Sequence, residues 1–116
     1  MGKYMLMGGY TTESWKAMIQ SPTDRSAAAR KVIEAAGGRL ETFYWSFGED
    51  DFVAIFDAPD DINAAAGAIA VASSGALRNV RTIKLITAEE SRKLLDKAKS
   101  VAQAYSPPAT QPVGAR

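Results

Sequence analysis

The sequence predicts an α+β fold: a four-stranded antiparallel sheet in β-α-β-β-α-β order, the ferredoxin-like layout, with an extra C-terminal helix. Three observations carry this. Short runs rich in aromatic and β-branched residues alternate with stretches of helical periodicity. Two of the runs meet across the polar turn Gly48-Glu49-Asp50-Asp51 and so form a hairpin. A strand–helix–strand crossover flanks that hairpin on each side. A chain of 116 residues suits one domain, expected over residues 1–105, with a disordered tail over 106–116.

Tyr4 to Tyr10 is a short apolar run with two glycines and no helical punctuation, which predicts the first strand. Thr11 and Thr12 then offer helix caps, and Trp15, Met18 and Ile19 fall on one helical face. Ser21-Pro22 interrupts, and the pattern predicts a second helix with Ser21 as its cap and Pro22 in its first turn. Its stripe is Ala28, Val32, Ala35 and Ala36, with Ala29 and Ile33 beside it, and Gly37-Gly38 stops it. Leu40 to Phe47 and Phe52 to Phe56 make the hairpin strands. Pro59-Asp60-Asp61 opens a third helix with the stripe Ile62, Ala65, Ala66 and Ile69. Leu77 to Ile86 is the fourth strand. Thr87-Ala88-Glu89-Glu90 reads as a capping box before a last helix carrying Leu94, Leu95, Ala98, Val101 and Ala102. Three prolines follow within eleven residues, without an apolar pattern.

Composition removes several chemistries. Fourteen basic and thirteen acidic residues nearly cancel, so nothing points to nucleic acid. With no cysteine there is no disulfide, thiolate nucleophile or iron–sulfur cluster, and with no histidine there is no imidazole catalysis and little scope for a transition metal. No cofactor is expected, and an oxygen-ligand site for Mg²⁺ or Ca²⁺ is the one metal chemistry left open. No apolar run approaches the 18 or so residues of a membrane span, and no leader is visible, so the reading is a cytoplasmic protein with no membrane partner.

Side chains alternate across a strand, and here both sets are apolar. Tyr4, Leu6 and Tyr10 oppose Met5 and Met7; Phe43, Trp45 and Phe47 oppose Leu40 and Tyr44; Phe52, Ala54 and Phe56 oppose Val53 and Ile55; Ile83 and Leu85 oppose Val80, Thr82, Lys84 and Ile86. The crossover helices cover one face. The last helix can cover part of the other, and the remainder predicts a second copy of the chain, most simply a homodimer.

Candidate site residues follow from chemistry. The acidic turn Glu49, Asp50 and Asp51 suits a solvated hairpin better than a cation site, with Asp51 singled out because it sits where turn meets strand. Tyr10, Trp15, Tyr44 and Trp45 are polar-tipped aromatics that either pack or line a pocket for a planar apolar ligand. Lys84 stands in the otherwise apolar run Thr82-Ile83-Lys84-Leu85-Ile86. Buried, it would have a lowered pKa and serve as base, nucleophile or anion anchor; on an edge strand it would reach to water. By strict alternation Tyr10, Tyr44 and Lys84 share a face. Ligand-binding candidates are therefore Tyr10, Trp15, Tyr44, Asp51 and Lys84. Gly8-Gly9 lacks the spacing of a phosphate loop and instead leaves room for close backbone approach.

Several segments resemble the GYD-domain family: Lys3-Tyr4-Met5-Leu6-Met7-Gly8-Gly9-Tyr10-Thr11, the Gly37-Gly38-Arg39-Leu40-Glu41 entry to the hairpin, the Phe47-Gly48-Glu49-Asp50-Asp51 turn and the Thr87-Ala88-Glu89-Glu90 exit. The family's turn reads glycine, any residue, tyrosine, aspartate; Asp50 stands here in the tyrosine's place. The family is similar to the dimeric α+β barrels, in which two ferredoxin-like sheets pack face to face. The resemblance thus implies a fold and an assembly, and supplies no reaction. Three functions stay open: an oligomeric domain that binds a small apolar or aromatic molecule, a cofactor-independent oxygenase or isomerase acting on an aromatic or lactone-like substrate, and a purely structural assembly module.

Overall fold

The computed structural model describes residues 1–109, so the tail expected over 106–116 lies largely outside the described residues. The chain forms two compact units, Met1–Leu85 and a second beginning at Ile86. The first holds strands β1 (Gly2–Tyr10), β2 (Arg39–Trp45), β3 (Phe52–Ala58) and β4 (Leu77–Leu85) and helices α1 (Thr12–Gln20), α2 (Arg25–Ala35) and α3 (Asp61–Ala72). All pairings are antiparallel in the order β2-β3-β1-β4, which is the ferredoxin-like arrangement. The second unit holds α4 (Ala88–Ala102). Its N-terminus is the capping box that Thr87 and Glu90 form reciprocally.

Helix starts follow side-chain oxygens. Thr11 caps α1 and Asp60 caps α3. The cap of α2 is Asp24 and not Ser21: its carboxylate accepts from the Ser26 N–H, whereas Ser21 closes α1 and Pro22 lies in the link between the two helices. A carboxylate one residue before the first helical turn outcompetes a serine that the preceding helix already uses. Gly37, at a φ of +80°, ends α2 in the left-handed region.

Two apolar stripes lie differently from their prediction. In α1, Trp15 and Met18 turn inward but Ile19 is exposed. In α3 the inward residues are Ala64, Gly67 and Ala68, and the predicted stripe Ile62, Ala65, Ala66 and Ile69 faces outward. Helix α3 is apolar almost all round, so periodicity cannot select a face. The smallest side chains take the sheet side, opposite the rings of the strands.

Register shifts settle the sheet faces. Leu40 pairs with Phe56 and Thr42 with Ile55, so an extra residue at Glu41 brings Leu40, Phe43 and Trp45 onto the face of Phe52, Ala54 and Phe56. That same face carries Tyr4, Leu6 and Tyr10 from β1 and is covered by α2 and α3. A second shift in β4, between the partners of Met7 and Gly9, accommodates Asn79 at a φ of +51°. Strand β2 ends at Trp45 rather than Phe47, which lies fully exposed in the turn.

The core cluster joins Tyr4, Ile33, Phe56, Ala58 and Ala64, with Leu6 and Leu40 packed against it. Where helix meets strand, Gly38 is required by space: a Cβ there would stand 2.1 Å from the Asp57 carbonyl oxygen. At Gly67 the reverse holds, since an added Cβ would sit 3.8 Å from Ala36 Cβ and 3.9 Å from Val32 Cγ1. Gly67→Ala is therefore expected to stabilise the domain by roughly 0.5–1 kcal/mol through helix propensity. Gly38→Ala is expected to cost about 1–3 kcal/mol by overpacking. Urea unfolding of the two variants beside the native chain checks both signs.

Candidate functional site

The site grows from the last residue of β1. Tyr10 is buried, and its backbone N–H donates to Asp51 Oδ2 at 2.9 Å, while its carbonyl accepts from Arg78 Nε at 3.2 Å. Asp51 also pairs with Arg78 Nη2 at 3.3 Å, and its own N–H donates to the Gly8 carbonyl at 2.8 Å. The hairpin turn is thus latched to β1 and β4 through one carboxylate. Gly9 lies beneath the Arg78 guanidinium, where a Cβ would come within 2.5 Å of Cζ.

Around the Tyr10 ring stand Trp15 at 5.1 Å and Trp45 at 5.7 Å, both edge-on, and Phe52 at 5.5 Å. The Trp45 Nε1–H donates to the Tyr10 hydroxyl at 3.0 Å. Burial raises the pKa of that hydroxyl, against the opposing pull of the Trp45 N–H and the Arg25 guanidinium. On the hairpin side, Trp15, Trp45, Phe47 and Asp51 edge an open groove.

On the other side of Tyr10, the layer between the sheet and helices α2 and α3 contains a cavity of about 320 Å³. Its floor is the aromatic face of the sheet, with Leu6, Phe43, Phe52 and Phe56, and its roof is mostly small: Ala28 and Ala29 of α2, Ala36 at that helix's C-cap, and Ala64, Gly67 and Ala68 of α3, with Val32, Ile33 and Val71 among them. Tyr10, Arg25, Asn63 and Ser74 supply the polar rim. Its position between two layers, partly open to solvent, and its apolar lining make it the better ligand site of the two hollows.

At the opposite end of the sheet, Lys84 pairs with Asp61 at 2.9 Å and lies over the Tyr4 ring at 5.2 Å, while Tyr4 donates its O–H to the same Asp61 carboxylate. The hydrogen bonds from Tyr4 and then Lys84 lower the Asp61 pKa; the bond to Asp61 raises those of Lys84 and Tyr4. The lowered lysine pKa expected for a buried Lys84 is reversed, because the amine sits on an edge strand beside a carboxylate and does not line the cavity.

The predicted site residues are therefore sorted into three places. Tyr10, Trp15 and Asp51 come together. Lys84 shares the face of Tyr10 but stands opposite Tyr4, some 20 Å along β1. Tyr44 pairs with Val53 on the other face and is exposed, because the extra residue in β2 inverts the alternation that grouped it with Tyr10. Arg25 and the alanine roof were not among the predicted site residues. Their signal was present: Arg25 stands at i, i+3, i+4 and i+7 spacing with Ala28, Ala29 and Val32, a cation in register with an apolar stripe.

The GYD domain profile aligns with residues 4–95, from β1 into α4. The chain belongs to the GYD-domain family. No curated protein and no solved structure matches it significantly. In this GYD domain the aspartate of the family's turn pattern is the latch Asp51. Asp50, which stands in the tyrosine's place, forms an ion pair with Arg81 instead. Among the described residues, no three acidic side chains gather as a metal site would need, and no helix is long and apolar enough to cross a membrane.

The Tyr4–Asp61–Lys84 group sets a pH dependence with a definite sign. Asp61 has a depressed pKa, so its contribution to stability is complete above the ordinary carboxylate value and is lost as pH falls through the folded value. Lys84 has a raised pKa, so its contribution is complete below the ordinary lysine value and is lost as pH rises through the folded value. Asp61→Asn is expected to remove both, flattening stability at the acid and alkaline ends. Thermal melts of native and variant chains across pH 2–11 measure it; parallel curves would contradict it.

Proposed function

We propose that this GYD domain is a binding module that encloses a small, apolar, ring-containing molecule between its sheet and helices α2 and α3. The observation that carries this is the cavity of about 320 Å³ with an aromatic floor and an alanine roof. That volume is at the lower end of small-molecule pockets and suits a ligand of roughly two fused rings. Catalysis is disfavoured by the state of the candidate groups. Tyr10 is held protonated by burial, Lys84 is held protonated by Asp61, and Asp51 is engaged by Arg78 and a backbone N–H. None of them offers a free base at neutral pH.

A neutral bicyclic probe, 2-naphthamide, is expected to bind at a one-to-one ratio and to raise the melting temperature. At one hundred times its Kd it should stabilise by about 2.7 kcal/mol. Ala68→Phe fills the roof and is expected to abolish the effect while the protein still melts cooperatively. Calorimetric titration showing no heat with the native chain, or equal binding by the filled variant, would overturn the reading.

A second observation favours self-association of the same module. The sheet face away from α2 and α3 presents Met5, Val53, Ile55, Ile83, Leu85 and Tyr44, with Ile83 and Tyr44 exposed. A homodimer joined through this face buries an apolar surface that a monomer leaves wet. Sedimentation equilibrium at micromolar concentration should give twice the chain mass, and Ile55→Lys at the centre of the face should give the chain mass with unchanged circular dichroism. A native chain that sediments as a monomer contradicts it.

A further inference from the structure

At the cavity's polar end the Arg25 guanidinium and the Trp45 N–H both point their donors toward the Tyr10 hydroxyl oxygen, and no negatively charged acceptor is among the lining residues. Arg25 is the only charged residue of the lining among the described residues, and it is half-buried. Across the sheet the cations are spoken for: Lys3 pairs with Glu41 and Asp57, Arg78 with Asp51, Arg81 with Asp50 and Lys84 with Asp61. No carboxylate among the described residues lies within ion-pair distance of Arg25. Tyr10, at the same cavity, accepts from Trp45 at 3.0 Å, and no described residue accepts its own proton. A guanidinium and a hydroxyl proton at one apolar cavity leave a place for an acceptor that carries negative charge.

The geometry points to a planar aromatic monocarboxylate as the ligand: its rings lie between the sheet aromatics and the alanine roof, and its carboxylate accepts from Arg25 and Tyr10. This rests on the ligand-binding reading above and adds the chemical class. The volume is about twice that of an apolar cavity, roughly 150 Å³, that holds one benzene ring. A bicyclic acid therefore fits where a single ring would rattle. Aromatic character follows from the floor, where Phe43 and Phe52 already stack, 6.1 Å apart and within 8° of parallel, beside the space a further ring would take. A guanidinium matches a carboxylate in two parallel hydrogen bonds, which a neutral amide of the same shape cannot reproduce.

The test uses 2-naphthoate and its neutral isostere 2-naphthamide, titrated by calorimetry into the native chain and into Arg25→Met. The native chain should bind the naphthoate about tenfold or more tightly than the amide, the scale of one hydrogen bond to a charged group. Arg25→Met should bring the naphthoate down to the level of the amide and leave the amide unchanged, with an unaltered circular dichroism spectrum showing that the fold persists. Equal affinity for both probes in the native chain, with no effect of Arg25→Met, overturns the carboxylate assignment and leaves the cavity as a neutral site. Absence of binding by either probe overturns the cavity reading itself, and this assignment with it. Decanoate binding as tightly as 2-naphthoate contradicts the aromatic part of the assignment.

Discussion

The constraint on which the site depends is a mismatch of side-chain size across one layer. The sheet offers rings, Tyr10, Phe43, Phe52 and Phe56, and the helices above it offer mostly alanine and glycine, with Val32, Ile33 and Val71 among them. Ile33 and Ala64 pack on Tyr4, Phe56 and Ala58, and around that cluster the rings face small side chains. What remains is space. Protein interiors are ordinarily packed to crystal density, and the apolar side chains that line this partly open space lack the contacts that close packing would supply. An occupant recovers the lost contacts. The same feature therefore bears on stability and on function, and a ligand that fits would contribute to both.

Polar groups are arranged around this layer rather than in it. Asp51 fastens the hairpin turn to β1 and to Arg78, which fixes Tyr10 at one end of the cavity. Asp61 gathers Tyr4 and Lys84 at the far end of β1 and closes the start of α3 onto the sheet. Each carboxylate thus holds a tyrosine-bearing end of the same central strand. Arg25 is different in kind, because its charge meets no counterpart among the described residues.

Much of the fold was legible in the sequence, and for identifiable reasons. Strand β1, the hairpin and the capping box at Thr87 and Glu90 follow from local chemistry that tertiary packing does not override. The faces were less legible. The extra residue at Glu41 leaves no mark in composition, yet it moves Phe43 and Trp45 to the side of Tyr10 and sends Tyr44 to the other. Helix α3 is nearly uniform in hydrophobicity, so only the sizes of Ala64 and Gly67 against those of Ile62 and Ile69 determine what turns inward. Of the candidate site, Tyr10, Trp15 and Asp51 were visible as residue types in telling positions. A cavity was not, because it is made by what the alanines lack.

Diffraction from crystals held under xenon pressure tests the central claim most directly, since xenon occupies apolar voids without needing any particular chemistry. A xenon site is expected between α2, α3 and the sheet, within contact of Ala64 and Phe56. Crystals in which that layer is filled by its own side chains, with xenon elsewhere or absent, would contradict it.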